Sequence, residues 1–541
     1  MIRKKLLLCQ CPDLKVDLAE VLAELSQQQV RAEILPPCCT PTGLAGLQSL
    51  LREAPEEYVL AACGPELSHR FFRLLTELQV PLVDLWAWSD PVVAASELLL
   101  AAVGEPGPPP GRPLEAAQAV LVIGGGVGGC EAALDLAKAG LKVYLVDESL
   151  SIGGTMAQLD KTFPTLDCSI CILGPKLVEV AGHPNIDLLT FAQVDEIRGG
   201  PGNFQVDITL KPRYVDMSRC VGCGSCTEVC PVIVPSRWNL GLKPRKCIRI
   251  IFAQAVPLRA TIEREYCIDC RLCEKTCGRQ AIHLDDAPQT RHLQVGAVIL
   301  ATGATPFNPL LKSEYGYGCL PQVLTNLEYE RLVCASGPTL GRLVTPRGEP
   351  VRRLAFIQCV GSRDRRFLPY CSGYCCTASI KEAMLALEHD PDIAVTIFYN
   401  DIRTAGKGFE ELYLRAQEAG VRFVKALPGR VEEDDQGQVV IHYDDLAAGR
   451  QTLTVDLVVL AVGLQGPRVP PPFSDGSPVQ DDQGFFLSQH PLLHPVEASH
   501  PGVFLVGTCQ GPQDIAETVC QASAAAGRVL RLLTGLRDQT G

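Results

Sequence analysis

The chain has 541 residues, 47% of them hydrophobic, with 61 acidic against 49 basic side chains for a net charge of −12, and it carries 25 cysteines. That length allows about three to four domains with ample core. An acidic balance without a basic block excludes nucleic acid as a partner, and no apolar run approaches the ~20 residues of a membrane-spanning helix. Cysteines grouped at metal-ligand spacings argue for reduced thiolates holding iron in a cytoplasm, not for disulfides. Lys4-Lys5 followed by Leu6-Leu7-Leu8 has too short an apolar run for a signal peptide and reads as a first strand. Segments 6–10, 32–35 and 58–62 read as short strands, with helical patterns at 17–25 and 44–52 between them, which suggests a small α/β layer. Cys9, Cys11, Cys38, Cys39 and Cys63 follow those strands. Strand C-termini in an open α/β sheet share one edge, so these five read either as ligands of a further cluster or as small buried hydrophobes. The Pro/Gly-rich segment 104–113 reads as a stiff linker.

An apolar strand at 119–123 then runs into Gly124-Gly-Gly126-Val-Gly-Gly129, a helix from Cys130 to Ala139, and a second strand at 142–146 that ends at Asp147. This is G-x-G-x-x-G in a strand–turn–helix context, the dinucleotide fingerprint. Gly124 serves the tight turn, Gly126 lets backbone approach a pyrophosphate, Gly129 lets helix and strand pack, and Asp147 accepts from a ribose. Ser151-Ile-Gly153-Gly154 is a backbone-rich loop suited to the cofactor. FAD is favoured over NAD because the strand ending Ala301-Thr302-Gly303 and the segment Gly502-Val-Phe-Leu-Val-Gly507 resemble flavin-contacting strands of the flavoprotein disulfide reductases. Where those proteins carry Gly-Asp, this chain has Gly507-Thr508, with Asp514 a short loop later.

Between these flavin segments lie Cys220-Val-Gly-Cys223-Gly-Ser-Cys226-Thr-Glu-Val-Cys230-Pro231 and Cys267-Ile-Asp-Cys270-Arg-Leu-Cys273-Glu-Lys-Thr-Cys277. Each run is C-x2-C-x2-C-x3-C, the spacing by which bacterial ferredoxins hold a [4Fe–4S] cubane, with the fourth cysteine serving the other cluster. The crossed scheme gives Cys220, Cys223, Cys226 and Cys277 to one cluster, and Cys267, Cys270, Cys273 and Cys230 to the other. Zinc, which uses pairs of C-x2-C, is the weaker rival. Gly278 stands where proline usually follows the fourth cysteine.

After a strand at 353–357 a second glycine fingerprint is absent. Cys359, Cys371, Cys375 and Cys376 occupy its place, and by spacing alone they read as a cluster, a reactive dithiol or packed thiols. The domain closes with an apolar strand over 455–463. Cys168-x2-Cys171 reads as cluster ligands, a redox dithiol or packing. Cys130, Cys247, Cys319, Cys334, Cys509 and Cys520 show no ligand spacing and read as structural. The nine histidines form no metal motif.

Five segments carry a resemblance to a known family: Met156-Ala-Gln-Leu-Asp-Lys-Thr-Phe-Pro164, Asp167-Cys-Ser-Ile-Cys-Ile-Leu173, Phe356-Ile-Gln-Cys-Val-Gly-Ser-Arg-Asp364, Gly406-Lys-Gly-Phe-Glu-Glu411 and Gln510-Gly-Pro-Gln-Asp-Ile515. With the cysteine runs they resemble the A component of heterodisulfide reductase, an iron–sulfur flavoprotein, from about residue 114 onward and more weakly before it. The resemblance implies an α/β, thioredoxin-reductase-like core of Rossmann type with FAD, an inserted domain with two [4Fe-4S] clusters, and a third cluster on Cys359, Cys371, Cys375 and Cys376. It implies the domains 1–112 (N-terminal α/β with linker), 113–210, 287–350 and 466–541 (FAD-binding), 211–286 (inserted ferredoxin) and 351–465 (degenerate NAD(P)-type with a cluster). Electron bifurcation at the flavin is the implied activity. The implied partners are the other components of such a complex, a disulfide-reducing module, and ferredoxin or a hydrogenase or dehydrogenase donor module, in a homo-oligomer within a larger complex. Longer members carry a C-terminal ferredoxin module, and this chain reads as a form without it. Lys161 and Lys407 lie in family segments and read as cations that steady an anionic flavin or as surface lysines. An NAD(P)H-dependent iron–sulfur flavoprotein and a non-catalytic electron-transfer scaffold stay open as alternatives.

Overall fold

Short strands rich in Val, Leu and Ile alternate with helices along most of the chain, and this alternation builds parallel sheets covered by helices. The computed structural model describes residues 117–467, 472–474 and 476–540, and ahead of them 5–9, 18–27, 32–35, 58–62 and 82–84. The chain divides into two units, Met1–Leu114 and Glu115–Gly541. In the first, Lys5–Cys9 pairs in parallel with Ala32–Leu35 on one side and Tyr58–Ala62 on the other, and Leu82–Asp84 extends the sheet. Leu6, Leu7 and Leu8 are fully buried, as are Val21 and Leu25 on the amphipathic helix Leu18–Gln27. The three expected strands are present within a residue, and Leu82–Asp84 is a fourth. Cys9 ends the strand at which the sheet order switches direction. Cys11, Cys38, Cys39, Cys63, the expected helix at 44–52 and the linker lie outside the described residues.

The second unit is built on two sheets. In the first, Val503–Leu505, Ala297–Leu300, Ala119–Ile123, Lys142–Asp147 and Ile186–Thr190 run parallel, and Ser488–His490 and His494–Ala498 extend it antiparallel. Helices Val127–Lys138, Ser169–Gly182 and Ile515–Thr540 pack against this layer. The first of them starts three residues earlier than the sequence suggests, because Val127 to Gly129 already take helical form behind Gly126. In the second sheet Val323–Thr325, Leu457–Val462, Arg353–Val360, Ala394–Phe398 and Arg422–Val424 run parallel, covered by Asn326–Val333, Cys375–His389 and Phe409–Glu418.

The double-cysteine segment leaves and re-enters between paired strands. Asn203–Leu210 pairs antiparallel with Gln289–Val295, and Leu210 and Gln289 are partners in register. Residues 211–288 are therefore an excursion from one strand pair. Within it lie two small antiparallel ribbons and two five-residue helices, Ser225–Val229 and Leu272–Thr276, which pack on each other. Its attachment is not a flexible tether. Phe252 and Ala255 belong to the core of the first sheet, and Trp238 stacks on Phe252 with ring centroids 4.5 Å apart. Among the described residues no helix is long and apolar enough to cross a membrane.

Candidate functional site: a dinucleotide cavity between cysteine groups

The glycines of the first loop differ in what a side chain would meet. Gly124 has φ +107°, and a Cβ there would lie 2.2 Å from the Ala301 carbonyl oxygen. A Cβ on Gly129 would lie 1.9 Å from the Gly124 oxygen, where helix and strand cross closely. At Gly126 a Cβ meets nothing within 4 Å. Gly126 also caps Val127–Lys138 without a side-chain hydrogen bond, so the first-turn N–H groups are left for a ligand. The Asp147 carboxylate accepts from Gly125 N at 2.6 Å and Ser149 N at 2.7 Å, which fixes the loop, and burial raises its pKa.

A cavity of about 1370 Å³ opens in front of this loop. Gly124, Gly126, Asp147, Gly154, Thr302, Gly303, Gly507 and Asp514 line it, whereas Gly129 and Gly153 stand behind it. Gly153 is architectural: its N–H donates to Gly125 O at 2.7 Å, and its φ is +122°. Asp514 is spent as a helix cap, accepting from Glu517 N at 2.8 Å while the Glu517 carboxylate accepts from Asp514 N. Four buried polar atoms on residues that line the cavity, Thr302 Oγ1, Asn326 Oδ1, Glu382 Oε2 and Gln513 Oε1, have no partner. Buried polar groups are nearly always satisfied, so they mark where a ligand's polar groups belong. The volume exceeds the ~300–1,000 Å³ of ordinary small-molecule sites and suits a dinucleotide. The residues present therefore fit FAD.

A charged group that the sequence reading missed borders the same cavity. Lys381, on Cys375–His389, forms an ion pair with Glu330, both side chains 2% exposed, and donates to Lys161 O at 3.1 Å. Glu330 also accepts from Asp160 N at 2.9 Å. Burial, then the nearby Glu330 charge, pushes the Glu382 carboxyl well above its ordinary range. The available signal was a Lys-Glu pair inside an otherwise apolar helical run. Lys161 and Lys407 both line the cavity; Lys161 also bonds Glu388, and Lys407 is exposed.

Cys359, Cys371, Cys375 and Cys376 converge on one small cavity with Arg363, Asp401 and Arg403. Cys359 ends its strand at a register shift and takes φ +59°, a left-handed conformation rare outside glycine. Cys375 and Cys376 open the helix Cys375–His389. Burial pushes the Cys376 thiol up to about 11 and Cys375 well above its ordinary value, so thiolates here call for a metal's charge. In the insert, Cys230 lines one cavity with Cys267, Cys270 and Cys273, which is the crossed partition. Cys226, partly buried Cys220 and Cys277 belong to the same packed group, and Cys223 is exposed. Among the described residues no three His, Cys, Asp or Glu side chains converge as a single ion would need. A single ion needs its ligands about one bond length from a common point, whereas each thiolate of a cubane binds its own iron.

Of the three readings left open for Cys168 and Cys171, the dithiol one fits, since the pair forms a disulfide. Cys168 caps Ser169–Gly182, and Cys171 lies one turn on, so the two sulfurs face each other. Cys247, read as structural, is buried and lines the cavity of Cys230 as a fifth thiol, because its ribbon packs across Cys230. Its S–H donates to Glu263 O at 3.2 Å. Of the others read as packed, Cys130 and Cys509 are buried and bond backbone carbonyls, whereas Cys520 is exposed at the cavity.

Comparison with known proteins bears on these sites as a group. Residues 118–332 match the family model described as pyridine nucleotide-disulphide oxidoreductase. A thioredoxin reductase of Lactococcus lactis is 15% identical over 77% of this chain and 99% of its own, with a TM-score of 0.45. The A component of the H(2):CoB-CoM heterodisulfide,ferredoxin reductase of Methanothermobacter marburgensis is 44% identical over 91% of this chain and 78% of its own. The iron-sulfur A component of the CoB--CoM heterodisulfide reductase of Methanocaldococcus jannaschii is 43% identical over 94% and 81%. With more than two-fifths of positions identical over more than nine-tenths of its length, the chain belongs to the family of A components of CoB–CoM heterodisulfide reductase, which are oxidoreductases.

Proposed function

We propose that the chain is the FAD and iron–sulfur electron-transfer subunit of a heterodisulfide-reductase-type complex. It would pass electrons between a donor module, a ferredoxin and a disulfide-reducing module, with bifurcation at the flavin. One observation carries this reading. The dinucleotide cavity is bordered by the glycine loop, by Tyr374, Ala378 and Lys381 beside Cys375 and Cys376, and by Leu240 of the insert. A flavin there would lie beside the helix that opens with Cys375 and Cys376 and against a segment of the insert.

When bound, FAD supplies exchange between two-electron and one-electron carriers, and [4Fe–4S] clusters carry single electrons. The chain's own groups bind and tune. Gly124, Gly126 and the N-terminus of Val127–Lys138 would receive the pyrophosphate, and Thr302 and Gln513 would bond polar groups of the cofactor. Lys381 and Glu330 hold a charge pair at the cavity, and burial disfavours a second negative charge on Glu382. Cys220, Cys223, Cys226 and Cys277 would hold one cluster, Cys230, Cys267, Cys270 and Cys273 a second, and Cys359, Cys371, Cys375 and Cys376 a third. The N-terminal cysteines are candidates for a fourth. The place of a second nucleotide loop after Arg353–Val360 is taken by thiols, which speaks against NAD(P)H as the direct reductant.

Anaerobic purification with iron, sulfide and flavin counts tests the assignment. One FAD with about twelve irons is expected, or about sixteen with a fourth cluster. Eight or fewer irons with full FAD would remove the Cys359 site from the scheme. Absence of FAD would leave a scaffold, and rapid bleaching of the flavin by NADPH would restore the alternative of a pyridine nucleotide oxidoreductase.

A further inference from the structure

The two cysteine cavities differ in what else lines them. The insert cavity that Cys230 lines is walled mainly by aliphatic side chains, with Arg271 its one charged lining residue. Around Cys359, Cys371, Cys375 and Cys376 stand two guanidinium groups, Arg363 and Arg403, and one carboxylate, Asp401. Arg363 is built into this place. Its φ is +56°, its N–H donates to Tyr370 O at 2.9 Å, its side chain donates to Asp401 Oδ2 at 2.8 Å, and it lines the cavity together with Cys359. The Arg363 side chain is 24% exposed, against 44% for Asp401 and 54% for Arg403, so water screens Arg363 least.

A four-iron cluster gains one negative charge on reduction, so adjacent positive charge and donors to its sulfurs favour the reduced form. Backbone dipoles add to the same sign here. Gly373 N–H points at Cys371 Sγ, 3.4 Å away, and Cys375 and Cys376 sit in the first turn of a 15-residue helix.

We propose that Arg363, assisted by Arg403, raises the reduction potential of the cluster held by Cys359, Cys371, Cys375 and Cys376. This rests on the ligand assignment given under Proposed function. The step is the entry of one electron, from reduced flavin in the complex or from dithionite in solution. No bond is made or broken, and no proton moves.

The full chain, purified anaerobically, is titrated potentiometrically and followed by electron paramagnetic resonance. Arg363→Gln is expected to lower the potential of this cluster, Arg363→Lys to lower it less, and Asp401→Asn to raise it, all at the parent iron content. Unchanged potentials in Arg363→Gln and Asp401→Asn at full iron overturn the inference. Should Arg363→Gln shed about four irons, Asp401→Asn decides: a raised potential upholds the inference, and an unchanged one rejects it. Cys371→Ser separates the two levels. If it costs about four irons, the cluster assignment stands whatever the arginines do. If it costs none, the assignment fails and takes the inference with it.

Discussion

A Cβ on Gly129 would stand 1.9 Å from a backbone oxygen, and the same atom on Gly126 meets nothing within 4 Å at the rim of the cavity. The two positions therefore separate fold from binding. Gly129→Ala forces helix and strand apart and is expected to cost at least about 2 kcal/mol, seen as a lower melting temperature of the flavin-free protein. Gly126→Ala is expected to leave that melting temperature near the parent's and to weaken FAD binding roughly tenfold or more, read from bound flavin per chain. Equal melting of both variants would refute the division. The sequence shows both glycines by spacing, and their different roles follow from strand–turn–helix geometry. What it does not show is that Asp514 is occupied as a cap, since the partner, Glu517, is set by where the last helix begins. Nor does it show Lys381 meeting Glu330, 51 residues away on another helix.

At the level of elements, the two short helices that carry Cys226 and Cys273 pack on each other, and Cys230 crosses to the cavity of the second run. Crossing makes iron loss from paired substitutions a register of who shares a cluster. Cys230→Ser should cost about four irons, and Cys230→Ser with Cys270→Ser should cost no more, because both serve one cluster. Cys230→Ser with Cys223→Ser should cost about eight. The reverse pattern would mean that each run closes on its own cluster. Cys247 adds a thiol at the Cys230 cavity, so Cys247→Ser accompanies the series as a control for ligand exchange. That Cys230 shares a cavity with the second run is legible in the sequence because it lies in local spacing. Cys247 is not, because it arrives on a separate ribbon 17 residues beyond Cys230, brought there by Cys247 N–H donating to Val232 O at 3.1 Å. The Cys168–Cys171 disulfide shows the limit of reading compartment from cysteine number, since a helix start sets that pair face to face locally.

Across the whole second unit, the excursion from Leu210 to Gln289 is fastened to the sheets by buried polar contacts as well as by Phe252 and Ala255. Arg331 is the centre of these contacts and is fully buried. Its Nε donates to Asn239 Oδ1 of the insert at 3.1 Å, its Nη1 to Gln158 O at 3.1 Å, and its Nη2 to Ser336 O at 3.2 Å, while its guanidinium lies 5.8 Å from the Trp238 ring. Gln158 in turn donates to Trp238 O at 2.9 Å. A planar fork with five donors spans three segments at once, and an ammonium group cannot. Arg331→Met leaves the half-buried acceptors Gln158 O and Asn239 Oδ1 without this donor, at up to about 1–3 kcal/mol each before relaxation, while exposed Ser336 can turn to water. The relief available is for residues 236–242 to move away from Leu159 and the cavity. Hydrogen exchange is therefore expected to rise over 236–252 in Arg331→Met, with little change over the second sheet. Electron transfer between flavin and insert clusters should slow while iron content holds. Arg331→Lys should recover only part of the protection, because it restores the charge without the fork. A uniform rise in exchange over both sheets would instead make Arg331 a general element of the core. Leu240 lines the dinucleotide cavity from the same segment, so the contacts that seat the insert also complete the wall beside the flavin.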